Sequence, residues 1–152
     1  VISYLAAHPS RDLITAARQQ ITHEWWRVRR PQFEVYISQL VFDESAVGDP
    51  EAASRRAAVL ADLPLLDITP AAVALARGLL DMAKLPSQAG ADALHIAIAA
   101  CHGMDYLLTW NSTHIANAEL RPRIERACRA LGYEAPVLCT PDQLMGEDKE
   151  LE

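Results

Sequence analysis

Three times in this chain a helix-capping residue stands directly before a proline: Asp49-Pro50, Thr69-Pro70 and Thr140-Pro141. An aspartate or threonine oxygen accepts from the first unpaired N–H groups of a helix. Proline at the first helical position gives up an N–H that would have had no partner there. Each pair therefore predicts a helix start, and two of them close short apolar runs, "LPLLDI" and "PVLCT". Short buried strands alternating with capped helices imply an α/β domain with a mostly parallel sheet.

The remaining elements read in the same way. Pro9-Ser10 and Pro31 bound a helix on which Ile14, Ala17, Ile21, Trp25 and Val28 share one apolar face. "EVYIS" (34–38) alternates as a strand, and Ser38 caps a helix running through Glu44. "LPLLDI" (63–68) is a second strand, and the Thr69-Pro70 helix runs to about Leu85. Pro86-Ser87 restarts a helix that Gly103 stops. A strand over 105–110 follows. Asn117 caps a helix with Leu120, Ile124, Cys128 and Leu131 on one face and Gly132 as its stop. Thr140 and Gln143 have the spacing of a capping box after the last strand.

With 152 residues and no internal repeat, the chain reads as one domain over 1–146 and an acidic, disordered tail over 147–152. No apolar run approaches the ~20 residues of a membrane span, so no membrane partner is expected. Cys101, Cys128 and Cys139 lack metal-like spacing and read as buried thiols of a cytoplasmic protein. The net charge of -6 argues against binding nucleic acid by bulk electrostatics. Clustered arginines at 27, 29 and 30, at 55 and 56, and at 121, 123, 126 and 129 keep a local basic face open.

Asp92 stands out in "DALHIAIAACHG". An acid near a helix N-terminus gains ~0.3–1 kcal/mol from the dipole. With Ser87 as the cap, however, Asp92 falls past the first turn, among Ala91, Ala93, Leu94, Ile96 and Ala97. An isolated carboxylate is costly in such surroundings, which favours a functional role. Glu44, in "LVFDESAVGDP", reads equally as a solvated helix end or as a ligand. His95 and His114 read as hydrogen-bonded histidines before ligands. Thr109 and Asn111 form a polar tip on an apolar strand, and in open α/β sheets ligands gather beyond the carboxyl ends of strands. Two carboxylates and an amide oxygen are hard donors that suit Mg²⁺ or Mn²⁺, and such sites typically act on phosphates. No P-loop, GxGxxG or GxSxG is present. Trp26, beside Arg27, Arg29 and Arg30, either props its helix or contacts RNA or a partner.

The segments "VISYLAAHPSRD", "YISQLVFDESAVGDPEAASRR", "ADALHIAIAACHGMDYLLTWNSTHIAN" and "GYEAPVLCTPDQLMG" span nearly the whole chain. They resemble PIN domains, in particular the VapC-like toxins of type II toxin–antitoxin pairs. The resemblance implies a three-layer sandwich, a mostly parallel sheet flanked by helices. It implies an endoribonuclease that hydrolyses RNA phosphodiesters with metal-activated water, held in check by a cognate antitoxin, cytoplasmic and homodimeric. Glu44, Asp92 and Asn111 become the catalytic residues and the ligands of Mg²⁺ or Mn²⁺, supported by Thr109 and His95. Trp26, Arg29 and Arg30 become RNA or partner contacts.

Two departures qualify this. Asn111 falls where many members carry aspartate. The family's first acid and its central first strand lie just ahead of a segment like "VISYL", so both are expected to be absent from this chain and its hold on Mg²⁺ to be weak. A catalytically weak PIN domain that binds RNA or protein is the alternative. A non-nuclease α/β protein with structural acids is a third.

Overall fold

Asp49, Thr69 and Ser38 each accept a hydrogen bond from the backbone N–H three residues on, at 2.9, 3.1 and 3.1 Å. Local chemistry thus sets three helix starts as the sequence predicts. These contacts are seen in a computed structural model that describes residues 1–111 and 113–146; the expected acidic tail lies outside the described residues.

Among the described residues the α-helices are α1 (Ile2–Ala6), α2 (Leu13–Glu24), α3 (Gln39–Ser45), α4 (Pro50–Leu60), α5 (Pro70–Met82), α6 (Gly90–Cys101) and α7 (Arg121–Ala130). The strands are β1 (Ile37–Ser38), β2 (Leu65–Leu66), β3 (Tyr106–Leu108) and β4 (Val137–Cys139). The class is mixed α/β, but the sheet differs from the one expected. Among the described residues β1 pairs only with β2 and β3 only with β4, both parallel, so these strands form two separate pairs. Between them lies a cavity of about 480 Å³, bordered by Ile37 and Ser38 of β1, Leu107 and Leu108 of β3, and His95 and Ile98 of α6.

Several boundaries move. α2 starts at Asp12, whose carboxylate accepts from Thr15 N at 2.9 Å, and not at Pro9-Ser10. The helix widens into a π turn over Trp25–Arg29 and tightens into a 3-10 turn over Arg30–Gln32, which accommodates Pro31. α5 ends at Met82, earlier than Leu85, and the Arg123 guanidinium donates to the carbonyls of Ala83 and Lys84 just beyond it. Ser87 begins only a 3-10 turn, and α6 starts at Gly90, so Asp92 lies inside the first helical turn after all. The dipole therefore contributes to Asp92. Its position alone no longer argues for function.

The hydrophobic core is one-sided. Its buried cluster runs from Leu75 to Leu138 and is built from α5, α6, α7, β4 and the connections between them. α2 shows why. The stripe predicted to be its buried face is largely outward, with Ile14 65% and Val28 44% exposed, and only Trp25 of the predicted set is buried. The inward side carries Gln19 and Thr22 instead. Gln19 is satisfied there, accepting from Ser10 N at 2.9 Å and donating to His8 O at 3.1 Å.

Thr22 Oγ1 donates to Arg18 O at 2.6 Å and accepts from Trp110 Nε1 at 2.8 Å, which ties α2 to the end of β3. Replacing Thr22 by Val removes that acceptor. The substitution is expected to destabilise the protein by ~1–3 kcal/mol, the usual cost of an unmatched donor, read from urea unfolding.

The three cysteines are free thiols; Cys128 and Cys139 are buried and Cys101 partly so. Burial pushes the Cys128 thiol up to about 11 and raises Cys139 as well, so both stay protonated and unreactive at neutral pH. No helix among the described residues is long and apolar enough to cross a membrane.

Candidate functional site

Asp92 is held from both sides. Its Oδ1 accepts from Asn111 Nδ2 at 2.9 Å and its Oδ2 from His114 Nδ1 at 2.8 Å. The side chains of Asp92 and His114 are 19% and 20% exposed, enough for solvent or substrate to reach them.

The loop after β3 delivers both donors. Asn111 N donates to Thr109 Oγ1 at 3.0 Å, so Thr109 shapes the turn at its first step. Asn111 Oδ1 then accepts from Thr113 N at 3.1 Å and His114 N at 3.2 Å, while Ala116 N closes onto Asn111 O at 2.7 Å. Ile115 anchors the loop in the core at 4% exposure. These contacts also settle which way the Asn111 amide points. The flipped amide would set its oxygen against a carboxylate and its NH₂ against two N–H donors. Asn111 therefore faces Asp92 with hydrogen, and its oxygen serves the loop.

Glu44 comes from the other half of the molecule. It rides on α3, half-exposed, with Oε1 3.1 Å from His95 Nε2. His95 follows Asp92 by three positions on α6, a spacing that puts side chains on one face with Cβ atoms roughly 5–6 Å apart. Glu44 and Asp92 thus reach the same face of α6, with His95 between them at the edge of the cavity.

Two carboxylates on one helix face are the right donor type for a hard divalent cation. Among the described residues, however, no three His, Cys, Asp or Glu side chains gather closely enough to hold a metal. Glu44 and Asp92 are of the donor type such an ion takes. Asn111, with its oxygen turned into the loop, is not placed to join them in this arrangement.

The arginine clusters are largely consumed inside the protein. Arg55 donates to Ala6 O and pairs with Glu51, Arg56 donates to Ser45 O and Val47 O, and Arg123 binds the end of α5. Arg29 donates to Leu144 O at 3.3 Å and Gln32 Oε1 at 2.8 Å and stacks on Phe33. Arg30 lies over the Trp26 ring at 4.2 Å, beside a second, shallow pocket that includes Phe33 and Pro64. Trp26 and Arg30 form a stacked pair at the surface, whereas Arg29 acts as a strut.

His114 was legible only as a loop histidine, because its contact with Asp92 spans 22 residues of sequence. The polar "TWN" tip was its one local signal, since Asn at a strand end favours the kind of turn that carries His114 back over α6. No family model, curated protein or solved structure matches this chain.

Proposed function

We propose that this chain is a metal-dependent endoribonuclease with a PIN-like sandwich fold, acting as a VapC-like toxin restrained by a cognate antitoxin. One observation carries the reading: Glu44 and Asp92, far apart in sequence and on different halves of the molecule, reach the same face of α6. Glu44 and Asp92 would hold Mg²⁺ or Mn²⁺. Such an ion, when bound, would supply a lowered pKa for its water and offset charge on the phosphate. The chain's own part is to fix the carboxylates and to present the stacked Trp26–Arg30 pair to a base or a phosphate of RNA.

A second reading is favoured by a specific feature. Both Asp92 oxygens already accept hydrogen bonds and Asn111 offers hydrogen, so the site would bind a cation weakly and serve as an RNA- or protein-binding module. Incubation with single-stranded RNA and Mn²⁺, with and without a chelator, separates the two. Chelator-sensitive cleavage products are expected. Intact RNA that is nevertheless retained by the protein would favour the module.

Homodimerisation belongs to the same proposal. The exposed apolar side chains of Leu13 and Ile14 at the start of α2 are the surface it would cover. Light scattering is expected to give a dimer, and Ile14→Glu, which leaves the core untouched, to give a folded monomer. A monomeric unsubstituted chain at all concentrations would remove the dimer.

A further inference from the structure

We infer that His114 is a positioning residue for Asp92, fixing the plane of its carboxylate through Nδ1–H while Asn111 holds the opposite oxygen. The inference deepens the nuclease reading above and rests on it wherever a metal is concerned. A carboxylate on an exposed helix turn rotates among several orientations. Here Oδ2 is fixed at 2.8 Å by His114 and Oδ1 at 2.9 Å by Asn111, and both donors come from one short loop.

The described residues of the loop are tied to the fold at several points. Asn111 Oδ1 accepts from the backbone N–H of both Thr113 and His114, Ile115 is inserted in the core, and Trp110 is tied to Thr22. His114 is thus a rigid ring on an anchored loop, and its ring carries the restraint across to α6. An ionised carboxylate has about four acceptor sites, so two donors leave capacity for a further partner. Groups that orient a metal-binding carboxylate in this way are typically worth 10–100-fold in metal affinity.

The contact is read first without metal. In a histidine ¹⁵N spectrum of the full chain, Asp92→Asn is expected to move the His114 Nδ1 signal. A signal that stays in place overturns the pairing. Calorimetric titration with Mn²⁺ reads the role. His114→Ala is expected to weaken binding by about tenfold. His114→Asn, whose Nδ2 occupies nearly the place of the ring Nδ1, is expected to restore most of it. An alanine variant that binds like the unsubstituted chain, or an asparagine variant as weak as the alanine one, overturns the positioning role. If the unsubstituted chain itself fails to bind Mn²⁺, the metal reading falls and takes with it any role of His114 toward a metal. The spectrum still decides the contact with Asp92.

Discussion

Replacing Asp92 by Asn is expected to reduce Mn²⁺-dependent RNA cleavage by more than the ~100-fold that outer partners of a metal site can account for. The geometry gives the size of the effect two sources. The substitution removes one of two negative charges on the shared face of α6, and it also breaks a donor–acceptor match. Asn111 Nδ2 and His114 Nδ1 both donate to Asp92, and an asparagine can accept at only one of its two terminal atoms. One donor then meets an NH₂ group, at a cost of ~1–3 kcal/mol to the fold. Glu44→Gln separates the two contributions. Its side chain is 51% exposed, so the substitution removes charge with little structural penalty. Cleavage is expected to fall for both variants on a gel assay, with the melting temperature lowered only for Asp92→Asn. Undiminished cleavage by both would place the activity outside this site.

The largest stability effect is expected at Leu79. It is fully buried on α5, inside the cluster shared with α6 and α7. Leu79→Ala leaves a cavity that close-packed neighbours fill only in part, and such changes cost ~2–5 kcal/mol. For a chain of this size that corresponds to a fall of about 10 °C in melting temperature. Val47→Ala is the control. At 70% exposure it is expected to shift stability by less than ~0.5 kcal/mol. Urea unfolding should show a lower midpoint with an unchanged slope for the first variant and no change for the second.

The sequence made some of this legible and not the rest, for reasons that differ by element. Caps were readable because their hydrogen bonds close within three residues. Ser38, Asp49 and Thr69 need nothing from the remainder of the fold, and the Thr140–Gln143 capping box forms with both of its bonds. Strand lengths were not readable. "EVYIS" contracts to Ile37–Ser38 because a ladder extends only as far as its partner, and the partner is Leu65–Leu66. Periodicity on α2 identified which residues share a face but not which face the fold covers; Gln19 could turn inward because His8 and Ser10 supply its partners. Glu44 and Asp92 were found by residue type and by resemblance. The direction of the Asn111 amide was invisible, because it is set by backbone N–H groups that only the folded loop brings together.

The one-sided core has a consequence for how the candidate site is assembled in time. Asp92, His95 and His114 belong to the densely packed half, whose opening requires breaking the Leu75–Leu138 cluster. Glu44 rides on α3, which has no buried residue and stands on a strand pair that shares no ladder with β3 and β4. Segments with few buried contacts open at a lower free-energy cost than the core, on their own and more often. Amide exchange is therefore expected to be fast along α3 and slow along α6. An excursion of α3 would lift Glu44 away from His95 and leave Asp92 held by Asn111 and His114. The acid pair would then behave as a hinged assembly, one jaw fixed and one swinging, and in the proposed reading its closed fraction would set how much of the time both carboxylates face the same ligand.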